Sequence, residues 1–224
     1  MLVIRKVTLQ NKEYEIVVSD DAQELLLKQK EGAIVIYLER EGSYAYQFPY
    51  VIQELEALED EEYLMDVVYR TLGIPKTILS FEKYILRELG EKDVKDLLVL
   101  YKENEGNASV EPFFKTEEEG MVYIRDYKNG VYALDRDGIY GIFLKEILGQ
   151  EVFVGLAGFT EKEEGKELSY ALLARYQKQG IMEKVCQRLL EQQKGRVFVR
   201  VQKGNERAIH LAEKLGIETL CTGP

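Results

Sequence analysis

The segment Gln177, Lys178, Gln179, Gly180, Ile181, Met182 is where the sequence offers chemistry. A β-rich run ends just before it and an amphipathic helical pattern begins just after it, with Gly180 at the joint. A strand passing directly into a helix exposes backbone N–H groups that have no helical acceptor. The positive end of the helix macrodipole points the same way. Such a corner is suited to an anion of the diphosphate kind, and Lys178 adds a cationic side chain. Taken by itself, the turn also reads as an ordinary strand–helix junction.

Other polar residues have plainer readings. Glu167 is a strand-end carboxylate, and Tyr170 on the same strand reads as packing. Asn205 is predicted as an N-cap. The single histidine, His210, falls between inward positions of its helix and is predicted at the surface. Cys186 fits an apolar helix stripe and reads as core. The pair Asp20-Asp21 follows a strand, but no second carboxylate motif supports phosphohydrolase chemistry, so a helix cap is predicted. The acidic clusters Glu117–Glu119 and Glu161–Glu167 are solvated faces that also attract cationic amines.

The 224 residues carry 40 acidic and 30 basic side chains, a net charge of -10. That charge repels phosphate backbones and disfavours nucleic acid as a partner. An anionic ligand must therefore be held by local geometry. With 46% apolar residues, 15 Tyr and 8 Phe, the chain can build a packed core. Two cysteines, Cys186 and Cys221, make no disulfide framework, and no metal-ligand spacing surrounds them. The sequence shows no signal-peptide pattern and no run long enough to cross a bilayer, so a cytoplasmic protein is expected, with no membrane partner.

These residues need elements to position them. Glu13–Ser19 and Ala33–Glu39 are predicted strands, with a helix between them capped by Asp20 and running to about Lys30. A further helix opens at Asp60 or Glu61, carries the stripe Leu64, Val67, Val68, Leu72, and stops at Gly73. Residues 1–78 thus read as a small α/β unit of two strands and two or three helices. Pro75–Ser80 reads as a junction, followed by a strand over Tyr84–Leu89 and a helix over Lys92–Glu103. A loop is expected over 104–116, then a short helix through Tyr127. Tyr140–Leu148 and Phe153–Phe159 read as a hairpin. Glu167–Tyr176, a helix over Gln179–Gln193, Arg196–Gln202 with Val197, Val199 and Val201 on one side, and a helix from Asn205 to Gly216 form a β-α-β-α unit. Its length permits a parallel crossover.

The order ELSYALLARYQKQGIMEKV, then RVFVRVQKGNERAIHLAEKLGI, resembles the GNAT superfamily of N-acetyltransferases over roughly residues 80–220. The resemblance is to the branch that acetylates protein amino termini and ribosomal proteins. It rests on two signatures: Gln177 to Met182, and the set Asn205, Ala208, Leu211, Lys214, Gly216, Ile217. It implies an α/β (α+β) fold with a mixed central sheet, two splayed parallel strands and flanking helices, in a domain spanning 79–224. The implied activity is transfer of the acetyl group of acetyl-CoA to a primary amine of a small molecule or peptide. The implied cofactor contacts are Gln177, Lys178, Gln179, Gly180, Ile181 and Met182 for the pyrophosphate, Ala171, Leu172 and Leu173 for the pantetheine arm, and Asn205. Glu167 matches the position of a base acting through water. The family's usual acid is a Tyr at the position that holds Ala212 here; Tyr170 is a candidate replacement, and a coenzyme A thiol also departs without much help. Met182 stands where Gly or Ala is usual. Glu218–Pro224 follows the last helix where the family has two further strands, so the substrate side is expected to be abbreviated, or completed in a homodimer. The alternatives are a catalytically degenerate acyl-CoA-binding or regulatory module, and a structural protein without cofactor.

Overall fold

The computed structural model describes residues 1–40, 47–105, 112–129, 138–146 and 149–222. The chain divides into two compact units, Met1–Lys76 and Thr77–Pro224.

The first unit is a four-stranded sheet, in spatial order β1 (Leu2–Leu9), β2 (Lys12–Ser19), β3 (Ile34–Leu38), β4 (Val51–Ile52). Neither β1 nor β4 was anticipated from the sequence. β1 and β2 form an antiparallel hairpin closed by Gln10 and Asn11, both at positive φ (51° and 63°). That is the primed two-residue turn that matches strand twist, reached here without a glycine. Helix α1 (Ala22–Lys30) is capped by Asp21, whose carboxylate accepts from Gln23 N and Glu24 N. Asp20, the expected cap, instead pairs with the amino terminus and Arg40. α1 covers one face of the sheet through Leu25, and α2 (Glu61–Thr71) covers the other through Leu64, Val67 and Val68. β3 is buried along its whole length because helices lie on both of its faces. Leu72, expected in the α2 stripe, caps the helix and is exposed.

The second unit is a seven-stranded sheet. Its strands are β5 (Thr77–Phe81), β6 (Tyr84–Arg87), β7 (Ile139–Lys145), β8 (Glu151–Lys162), β9 (Gly165–Leu172), β10 (Val197–Gln202) and β11 (Glu218–Thr222), adjacent in that order. The expected junction at 75–80 is thus largely a strand. β5 hairpins onto β6 through Glu82 (φ 48°), again a turn without glycine. Strands β5 to β9 are antiparallel, whereas β9, β10 and β11 run parallel. The residues after Gly216 therefore supply a strand paired in register with β10. Part of the loop expected over 104–116, and residues 147–148 of the expected hairpin, lie outside the described residues.

Helices α3 (Val94–Glu103) and α4 (Glu117–Asn129) pack on one face, where Val94, Leu97, Leu100 and Ile124 meet Phe143, Leu156 and Ala171. Helix α5 (Ile181–Leu190) packs on the other face through Ile181, Met182, Val185, Cys186 and Leu189. Helix α6 (Glu206–Leu215) sets Ala212 against Val199 and Val201. A buried charge cluster pins the start of α3. Arg87, 5% exposed, makes a two-point contact with Asp93 at 2.8 and 2.9 Å, donates to Glu151 at 2.7 Å, and stacks 3.6 Å from the Phe143 ring centroid. No helix among the described residues is long and apolar enough to cross a membrane.

Candidate functional site

β9 and β10 pair at two positions only, Lys166 with Val197 and Glu167 with Phe198. Beyond Glu167 the strands separate, so the sheet contains a V-shaped gap with Glu167 at its apex. The β9 N–H groups that face this gap follow from strand alternation. Leu173 N–H is used by Val154 O of β8, and Lys166 N–H by Arg196 O. The even-numbered residues of β9 therefore point their amides toward β10, and Tyr170 and Leu172 do so where no β10 partner exists. Among the described residues these two donors have no partner, so the gap presents an edge to which an extended amide-bearing chain would bond.

The open end of the gap leads to the turn that carries the sequence signal. Lys178 and Gly180 both adopt positive φ (61° and 72°), and Gly180 caps α5 from the left-handed region. Alternating handedness turns successive N–H groups into one concavity, an anion nest. The turn is held in shape by its own glutamines: Gln177 Nε2 donates to Leu172 O at 3.1 Å, and Gln179 Nε2 to Arg175 O at 2.8 Å. A Cβ built at Gly180 meets nothing within 4 Å, so the space beyond the nest is open. A cavity of about 190 Å³ adjoins it, lined by Lys178, Gly180, Met182, Arg207, His210 and Lys214 among others. Lys178, Arg207, His210 and Lys214 thus collect at one helix start together with Glu183, which accepts from Lys214 Nζ at 2.9 Å. Sequence reading assigned no role to Arg207; its position three residues before His210 on α6 was the available signal. Met182 is buried in the core cluster while also reaching the cavity. Asn205 caps α6 by accepting from Ala208 N at 3.2 Å.

Glu167 lies on the α3/α4 face of β9 with its side chain 16% exposed. Its Oε2 accepts from Arg200 Nε at 3.3 Å; among the described residues Oε1 has no partner. Tyr170 projects from the opposite face, against α5 and against the Val199–Val201–Ala212 cluster. Its hydroxyl is buried without a hydrogen-bond partner among the described residues. Burial pushes that phenol up, with the neighbouring Cys186 adding to the shift, so it stays protonated at neutral pH. Ala212 places no polar atom there. Of the residues expected to lie along the cofactor, Leu172 offers its N–H to the gap, Leu173 spends its N–H on β8, and Ala171 packs toward α3 and α4. Cys186 is fully buried and its thiol is likewise raised by burial. His210 is exposed.

A nest for anions, open space beyond it and two amides without a partner among the described residues fit a pantetheine diphosphate lying along β9. The acetyltransferase (GNAT) domain family matches residues 83–218. Among solved structures the chain is similar to the ribosomal-protein-S5-alanine acetyltransferase of Vibrio fischeri, at 16% identity and TM-score 0.51, covering 62% of this chain and 81% of that one. It is similar to a probable acetyltransferase at 18% identity and TM-score 0.52, covering 63% and 82%. A third is the microcin C7 self-immunity acetyltransferase MccE, in complex with acetyl-CoA and AMP, at 15% identity and TM-score 0.50, covering 61% and 79%. No curated protein matches the chain. These identities establish a shared fold, and the family match spans more than half of the chain. The chain belongs to the GNAT acetyltransferase family and is an acyltransferase whose acetyl donor is acetyl-CoA.

Proposed function

We propose that this chain acetylates a primary amine, of a small molecule or a peptide, with Glu167 as base and Tyr170 as acid. The observation that carries the reading is the gap itself. Its apex holds one carboxylate oxygen, and its edge holds the Tyr170 N–H, neither with a partner among the described residues. An ammonium acceptor must shed a proton before it attacks, and Glu167 takes that proton, directly or through a water. The Tyr170 amide donates to the thioester carbonyl oxygen as negative charge develops there. The new bond joins nitrogen to the acetyl carbon, and the bond that breaks joins that carbon to sulfur. The departing thiolate takes the phenolic proton of Tyr170, and the second proton shed by the acetylated nitrogen restores the phenol through solvent. Residues 167 and 170 face opposite sides of the strand, so the base and the acid stand on the two sides of the gap.

In support of cofactor binding by Gln177, Lys178, Gln179, Gly180, Ile181 and Met182 stand the nest and the cationic rim. Asn205 acts by fixing the start of α6, which carries Arg207 and His210 to that rim. The test is thiol release from acetyl-CoA with a panel of spermidine, tyramine, and peptides bearing a free amino terminus or an internal lysine. Turnover with at least one member, lost in Glu167→Gln, is expected. Binding of coenzyme A with no turnover across the panel would overturn the reading and favour a cofactor-binding module without transfer.

A further inference from the structure

Arg200, which belongs to neither signature motif, is the residue that holds Glu167. It lies two positions beyond Phe198, the last β10 residue paired with β9, so its guanidinium bridges the two strands where the ladder stops. Nε reaches Glu167 Oε2 at 3.3 Å, and Nη2 reaches Glu164 Oε1 at 3.2 Å. The guanidinium carbon stands 5.4 Å from the centroid of Phe198, a ring with no exposure. Glu164 is anchored in turn: its carbonyl oxygen accepts from Arg196 Nη1 at 3.1 Å, and Arg196 makes a two-point contact with Glu218 at 2.9 and 2.8 Å. The planar guanidinium is therefore fixed at its far end and offers one donor to one oxygen of Glu167.

Stability does not account for this arrangement. The Arg200 side chain is 37% exposed, and ion pairs that open to water add little to folding. Its chemical consequence is larger: the carboxylate at the apex is held in one orientation, with one oxygen committed and the other open.

We propose that Arg200 is the positioning residue for acyl transfer, acting through Glu167 and braced by Glu164. This inference rests on the proposed role of Glu167 as base. The test is steady-state kinetics of the full chain with acetyl-CoA and the panel amine that turns over fastest. Arg200→Met is expected to lower kcat about tenfold or more, as a displaced catalytic group does, while KM for acetyl-CoA and the melting temperature barely move. Arg200→Lys, which keeps the charge, is expected to restore part of kcat. In a Glu167→Gln background, Arg200→Met is expected to cost nothing further, since its effect passes through the lost carboxylate.

An unchanged kcat in Arg200→Met, or the same fractional loss in the Glu167→Gln background, overturns the proposal while leaving Glu167 in place. No effect of Glu167→Gln alone, or no turnover of any panel amine, removes the underlying reading and the inference with it. Should Arg200→Met fail to fold, Glu164→Gln loosens only the brace. It is expected to give a smaller loss of kcat, again absent in the Glu167→Gln background, and additive losses there overturn the proposal equally.

Discussion

Glu167 and Tyr170 stand three residues apart on β9, and the alternation of the strand sends their side chains to opposite faces of the sheet. One is an ion-paired carboxylate with a free oxygen; the other is a phenol whose buried hydroxyl has no partner among the described residues. Their energetic signatures should differ. Glu167→Gln is expected to lower kcat by about a hundredfold, the usual worth of a general base.

Tyr170→Phe removes a hydroxyl that makes no hydrogen bond among the described residues, so folding stability should hold or rise by up to about 1 kcal/mol. Turnover should fall by about tenfold, because a thiolate is a good leaving group that needs modest help. Urea unfolding and thiol-release rates check the two halves. A marked loss of stability would mean that the hydroxyl has a partner.

The turn can be tested without chemistry. Gly180→Ala places a Cβ at φ 72° in open space, so its cost is backbone strain alone, about 1 kcal/mol. Lys178→Gly relieves a non-glycine residue at φ 61° and should not destabilise the fold. Calorimetry with coenzyme A should show weaker binding in both. The first variant crowds the nest and the second removes a cation. Opposite effects on stability with the same effect on affinity would separate folding from recognition at this corner.

The Arg87 cluster tests the frame beneath the site. Arg87→Met leaves Asp93 as a buried carboxylate without its cation, which costs about 3–5 kcal/mol. The double variant Arg87→Met with Asp93→Leu should recover part of that loss, because the buried carboxylate is gone and the remaining partner, Glu151, is open to water. Chemical denaturation of the three proteins measures it.

Alkaline pH should destabilise the fold. Burial raises Tyr63 to about 12 and pushes Tyr101 and Tyr170 higher. Unfolded tyrosines ionise near 10. The unfolded state therefore releases protons first, and the stability these groups contribute is intact below pH 10 and lost as pH rises through the folded values. Melting temperature followed from pH 9 to 12, alongside tyrosinate absorbance, should fall from about pH 10 upward.

Much of this architecture was legible in the residues, for reasons that also mark its limits. Asp60 and Asn205 declared helix starts because a side-chain oxygen three positions before an N–H is a local relationship. Gly180 declared the corner because only glycine reaches φ 72° without strain. The hairpins β1–β2 and β5–β6 escaped because Gln10, Asn11 and Glu82 adopt positive φ without glycine, and the surrounding sheets hold them there. Asp20 and Asp21 were exchanged as caps because the claim of the amino terminus on Asp20 is a contact across the fold. Arg200 was invisible for the same reason: its partner Glu167 is 33 residues away, and only the pairing of β9 with β10 brings them together. The gap likewise has no sequence signature, since it is a place where hydrogen bonds stop.

Amide hydrogen exchange of Tyr170 and Leu172, with and without saturating coenzyme A, addresses the gap most directly. Both N–H groups face the opening and should exchange rapidly in the free protein, then become protected when the ligand lies along β9. Leu173 N–H, bonded to Val154 O at 3.0 Å, should be protected throughout. Unchanged exchange at Tyr170 and Leu172 under saturating ligand would contradict the account.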